Sequence, residues 1–87
     1  MQMNTPPNKL RAVRILHGYN PKEVVEYIGL RNEKILINWE KGKSFPTTLQ
    51  LLKLSVLYHT LPSELYYELH KKFVSELKEK MKLQAKK

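Results

Sequence analysis

The sequence predicts an all-α protein. Three observations carry this. Gly and Pro divide the 87 residues into segments of helical length, apolar residues inside those segments recur at three- and four-residue intervals, and no useful stretch alternates with period two. The punctuation falls at Pro6-Pro7, Gly18, Pro21, Gly29, Gly42, Pro46 and Pro62. Gly tolerates the positive φ that follows a helix, and Pro is accepted in a first turn. The segments left between these marks are about 8–17, 21–28, 31–41, 47–59 and 62–84.

In the first segment Leu10, Val13 and Leu16 form an apolar stripe, and Gly18 stops the helix. Asn20-Pro21-Lys22-Glu23 is a helix start, with Asn20 as N-cap, Pro21 at N1 and Glu23 at N3. Val24, Val25 and Ile28 share one face before Gly29. The third segment sets Ile35, Leu36 and Trp39 together and ends at Gly42. The fourth, with Leu51, Leu52, Leu54, Val56, Leu57 and Tyr58, is apolar nearly all round and reads as the central buried helix. The fifth runs long. Leu65, Leu69, Phe73, Leu77 and Met81 recur every four residues while the chain turns Lys/Glu-rich from Lys71. The expected organisation is a disordered arm over 1–7, a domain over 8–70 and a charged helical extension over 71–87.

Composition limits the function. There are 16 Lys+Arg against 8 acidic residues, a net charge of +8, spread evenly: residues 1–45 and 46–87 each hold 8 basic and 4 acidic side chains. An anionic partner follows, whether nucleic acid, an acidic protein or a membrane surface. No Cys is present, which removes disulfides, thiolate metal sites and a Cys nucleophile and fits a reducing cytosol. Met1–Leu16 lacks the apolar run of a signal peptide, and Ile35-Leu36-Ile37 is far short of the ~20 residues of a membrane span. A cytoplasmic protein is expected. His17, His59 and His70 lack metal-ligand spacing, Ser44, Ser55 and Ser63 lack a His/Asp partner pattern, and dispersed glycines make no phosphate loop. Neither an enzyme, a cofactor, a metal nor a small-molecule substrate is expected.

Two short helices joined around Gly29, then Ile37-Asn38-Trp39-Glu40-Lys41-Gly42-Lys43-Ser44-Phe45-Pro46 and a leucine-rich fourth helix, form an arrangement that resembles the phage Cro and repressor helix-turn-helix family, the xenobiotic-response-element type. The resemblance covers about Leu10 to Leu65. It implies a five-helix lambda-repressor-like domain with an extended C-terminal helix, and a sequence-specific, double-stranded DNA-binding transcriptional regulator of bacterial, phage or mobile-element origin. The third helix, about 31–41, would enter the major groove. Arg31, Asn32, Glu33, Lys34 and, one turn later, Asn38 would read bases; Lys22, Lys41, Lys43, Ser44 and Thr47 (with Thr48) would meet phosphates. Arg14, four residues before Gly18, matches the family's helix-one arginine and would pair with Glu40 in a structural ion pair. Three positions depart from the pattern. Gly29 to Glu40 spans one residue more than usual, which leaves the base-reading assignment open by one position. Pro21 stands where a phosphate-touching glutamine is common, and Val25 where alanine is common. They motivate the alternative, a protein-interaction module that has kept the fold and lost specific DNA reading.

Several features carry two readings. Arg31–Lys34 is either the base-reading turn or an ordinary solvated one. Ile37 is either core or an exposed contact to a thymine methyl. Trp39 reads as core rather than a stacking platform. The stripe beyond Lys71 is a homodimer surface, a solvated helix, or a membrane-surface helix interrupted by Glu68, Glu76 and Glu79.

Overall fold

Asn8 starts the fold by turning its side chain back on the chain. Its Oδ1 accepts from the Leu10 N–H at 3.0 Å, and α1 then runs Leu10–Leu16. In this computed structural model residues 6–85 are described, with side chains to Leu83. Six helices follow one another among the described residues, with no strand: α1, α2 (Pro21–Ile28), α3 (Glu33–Glu40), α4 (Thr48–Leu57), α5 (Pro62–Leu65) and α6 (Tyr67–Ala85). The architecture is all-α.

Caps set where the middle helices begin. At α2, Asn20 Oδ1 accepts from Glu23 N at 2.8 Å and the Glu23 carboxylate accepts from Asn20 N at 2.9 Å, a reciprocal capping box with Pro21 at N1. Thr47 and Gln50 form the same box at α4, a T-x-x-Q signal passed over in the sequence. Asn32, extended at φ −160°, accepts from Ile35 N at 3.2 Å and so begins α3 one residue later. The third helix is therefore Glu33–Glu40 rather than 31–41. Arg31 and Asn32 belong to the turn between α2 and α3.

The core is Leu10 from α1, Val24 and Ile28 from α2, Leu36 and Trp39 from α3, Leu54 and the following Tyr58 from α4, and Leu65 from α5. Every short helix contributes to it, and α6 contributes none of these residues. Three expectations are corrected. Leu16 is 80% exposed, because position i+6 lies 240° round the helix from Leu10; Arg14 at i+4 takes the buried face instead. The fourth helix is not enclosed: Leu54 is buried, but Leu49 and Val56 are more than 70% exposed. A helix on the rim of so small a domain buries only one face whatever its composition. The fifth segment is two helices, because Tyr66 leaves helical geometry at φ −114°, ψ 49°. This bend lets Leu65 enter the core while the Tyr66 ring packs 5.7 Å from that of Phe45.

Of the arm expected over 1–7, the first five residues lie outside the described ones, as do 86–87 of the tail. Pro7 is seated on Gly42, where an added Cβ would stand 2.8 Å from Pro7 Cγ. The radius of gyration, 15.6 Å, exceeds the ~12 Å of a compact chain of this length. The excess is the projecting α6.

Helices α1 to α3 end on a glycine at positive φ (Gly18, Gly29 and Gly42), whereas α4 is followed by His59 at φ 50°. A non-glycine residue there is strained by roughly 1–2 kcal/mol, offset in part by its lower freedom in the unfolded chain. His59→Gly is expected to stabilise the fold by about 0.5 kcal/mol. Thermal melts check this; an unchanged or lower Tm would contradict the strain at this turn.

Candidate nucleic-acid interface

Helix α3 is anchored at its C-terminal end. The Arg14 Nε donates to Glu40 Oε2 at 2.7 Å and Nη2 donates to Oε1 at 3.1 Å, a bidentate pair with both side chains under one-tenth exposed. The remaining Nη1 donates to the Tyr19 carbonyl at 3.1 Å. One guanidinium thus joins α1, the α1–α2 turn and the last residue of α3. Its pKa is raised: the hydrogen bond to Glu40 outweighs the cost of burial, and the Glu40 charge adds to it. Beside it, buried Asn8 donates from Nδ2 to the Trp39 carbonyl at 2.8 Å. Asn8 has no motif in the sequence; only the chain's return to α3 shows its role.

With Leu36, Trp39 and Glu40 turned inward, the opposite side of α3 faces out. Lys34, Ile37, Asn38 and Lys41 lie there at i, i+3, i+4 and i+7, the spacing of one helical face. Lys34 and Lys41 are exposed, Ile37 and Asn38 half-buried. The face continues into the next loop without a break. Gly42 takes φ 77°, its N–H donates to the Trp39 carbonyl at 3.1 Å, and Lys43 N donates to the Asn38 carbonyl at 2.9 Å. This fold-back keeps Lys43 and exposed Ser44 against the end of α3. Thr47 follows as the cap of α4; its Oγ1 accepts from Gln50 N and keeps its own proton free to donate.

The remaining expected site residues fall elsewhere. Arg31 is exposed in the α2–α3 turn, and the Asn32 oxygen is occupied by its cap bond, which leaves its amide N–H₂ for a partner. Glu33 is exposed on the flank of α3. Lys22 is exposed in the first turn of α2, and Thr48 in that of α4. Lys53, not anticipated, extends its Nζ to 3.5 Å from the Ile28 carbonyl at the end of α2. Among the described residues there is no group of three or more His, Asp or Glu able to hold a metal ion, and no helix long and apolar enough to cross a membrane.

Two other features stand out, one on the surface and one beneath it. Between α2 and α4, Tyr27, Leu49, Leu52 and Val56 line an open apolar groove of about 530 Å³ with Lys53 at its side. Behind the Arg14–Glu40 pair, the Tyr58 phenol is buried with no hydrogen-bond partner among the described residues, as is that of Tyr66. Burial raises both pKa values, that of Tyr66 to about 12; the nearby Glu40 charge raises Tyr58 further.

Removing one partner of the Arg14–Glu40 pair strands a buried charge. Arg14→Ala or Glu40→Ala is expected to cost about 3–5 kcal/mol of stability, while the apolar double replacement Arg14→Met/Glu40→Leu costs far less. Urea titrations of the three variants measure this; equal losses in all three would contradict it.

The tyrosines give an alkaline signature. An ordinary phenol titrates near 10, so between about pH 10 and 12 the unfolded chain releases protons that the folded chain retains. The contribution of these groups to stability is complete below pH 10 and declines as pH rises toward 12. Tyr66→Phe removes part of that decline. The urea midpoint against pH reads it, and superimposable wild-type and variant curves would overturn the assignment.

Comparison of the chain with models of protein families, with curated proteins and with solved structures finds no match.

Proposed function

We propose that the protein is a sequence-specific, double-stranded DNA-binding regulator of bacterial, phage or mobile-element type, in which α2 and α3 act as the helix-turn-helix pair of a lambda-repressor-like domain. One observation carries the reading. The outward face of α3 presents Lys34, Ile37, Asn38 and Lys41 in line and runs on into Lys43 and Ser44, on a helix whose far side is pinned by Arg14–Glu40. An α-helix fits the major groove, and a helix held on one side by core and ion pair keeps its other side in register with base edges.

Roles follow from the chemistry of each side chain. Asn38 is suited to adenine, Arg31 to guanine from the turn, Glu33 to a cytosine amine, and Ile37 to a thymine methyl. Lys34 reaches either a guanine edge or the backbone. Asn32 has only its amide donors to offer, so it is the weakest reader of the set. Lys22, Lys41, Lys43, Ser44 and Thr47 meet phosphates, which set register without reading sequence. The protein works without a cofactor, in the cytoplasm.

A second reading is favoured by the α2–α4 groove. A helix-turn-helix domain that exposes Tyr27, Leu49, Leu52 and Val56 together offers a protein-binding surface independent of α3.

Selection of bound duplexes from a random pool at roughly 0.15 M salt tests the first reading. A consensus is expected, with log affinity falling against log salt by about 0.9 per neutralised phosphate. Asn38→Ala is expected to cost about 1–3 kcal/mol and relax preference at one position, whereas Lys43→Ala weakens all sequences alike. Enrichment of no sequence over the starting pool would sink the reading.

A further inference from the structure

From His70 to Leu83 every residue of α6 is exposed, yet the apolar spacing does not stop. Leu69, Phe73, Leu77 and Met81 continue at four-residue intervals, and the last three are 48%, 58% and 68% exposed. At the base of the same helix, Phe45, Pro46, Leu51, Tyr66, Leu69 and Phe73 line an open apolar groove of about 340 Å³. The stripe and the groove share Leu69 and Phe73. One helix therefore carries an apolar ridge at its free end and an apolar trough at its root.

The edge of the ridge is charged in a pattern. Lys72, Glu76 and Lys80 each precede a member of the stripe by one residue, so they line one flank of it. An antiparallel partner helix brings its own copy of this flank alongside. With the ridges offset by two residues so that they interdigitate, Leu77 of a second copy lies level with position 71, between Leu69 and Phe73. Its Met81 lies level with position 67, beside Tyr66 and over the trough. In that register Glu76 of each copy stands opposite Lys72 of the other. A parallel partner would set this flank against the other edge, where His70, Val74, Lys78 and Lys82 offer no acidic residue to meet Lys72 or Lys80.

We propose that two copies of this chain associate through α6 in an antiparallel, two-fold arrangement, with Leu77 and Met81 of each copy covering the groove at the root of the other's helix. The same patch serves on both subunits, so the contact closes at two. The pairing needs no DNA. Because Phe45 and Pro46 directly follow Lys43 and Ser44, it also steadies the loop assigned to phosphate.

Sedimentation equilibrium of the full chain without DNA tests the proposal. Wild type is expected to fit a monomer–dimer equilibrium. Leu77→Glu, at an exposed position outside the core, is expected to remain monomeric to ~1 mM with its helical circular dichroism retained. Glu76→Lys is expected to weaken the dimer by roughly 10-fold, and Lys72→Glu/Glu76→Lys to return it to within about 3-fold of wild type, since the swapped charges meet again. A wild type monomeric to ~1 mM, association continuing past the dimer, or a dimer unaffected by Leu77→Glu would each overturn the proposal. Loss of the dimer in Val56→Glu with retention in Leu77→Glu would assign the contact to the α2–α4 groove instead. Failure of the charge swap to restore association would overturn the antiparallel register.

Discussion

The position of α3 depends on one guanidinium. Arg14 ties the carboxylate that ends α3 to α1 and, through the Tyr19 carbonyl, to the turn leading into α2. Without it, two helices of seven and eight residues would be held by a few apolar side chains and the Asn8–Trp39 bond. Helices this short do not persist on their own propensity, so tertiary attachment decides their existence. The pair is buried, which makes it costly to form, but its three directed hydrogen bonds specify one angle and one register for α3. Asn8 repeats the logic a short way off with a neutral amide on the Trp39 carbonyl. Both bonds act on the last turn of α3, leaving the outward face unencumbered.

Packing explains the rest of the domain's economy. Among the described residues the core has eight buried apolar side chains, at least one from each of α1 to α5 or its cap. Such a core cannot enclose a helix on all sides. Helix α4 is apolar nearly all round, and the part that does not meet Leu54's neighbours is left facing outward with Tyr27. Tyr58 packs into the core beside Arg14 with no hydrogen-bond partner for its hydroxyl among the described residues, a sign that volume outranked polarity at that position. His59 accepts a left-handed conformation so that α4 can stop and Leu65 can return to the core.

Local chemistry made much of this legible. Asn20-Pro21-x-Glu23 announces its own capping box, because every partner lies within four residues. Gly18, Gly29 and Gly42 mark helix ends because few other residues tolerate that φ. Trp39 and Leu36 read as core from spacing alone. The meeting of Arg14 with Glu40 was implied only by likeness to a family; 26 residues separate them and no periodicity joins them. The start of α3 was hidden at Asn32, because a residue that caps a helix and one that opens its exposed first turn look the same in sequence. Lys34, Ile37, Asn38 and Lys41 have the spacing of one helical face in the sequence, but that this face is the outward one followed only from the burial of Leu36, Trp39 and Glu40.

Residue order alone settles the all-α class, the first four helices and most of their ends, because caps, turns and amphipathic spacing act over a few residues. It does not settle which apolar face becomes interior. Leu16, Leu49 and Val56 have the chemistry of core residues and lie outside, while Asn8, Arg14 and Glu40 have the chemistry of surface residues and lie inside. That allocation is a property of the whole assembly. A core of this size has room for one face of each helix, and which face wins depends on where the other helices stand.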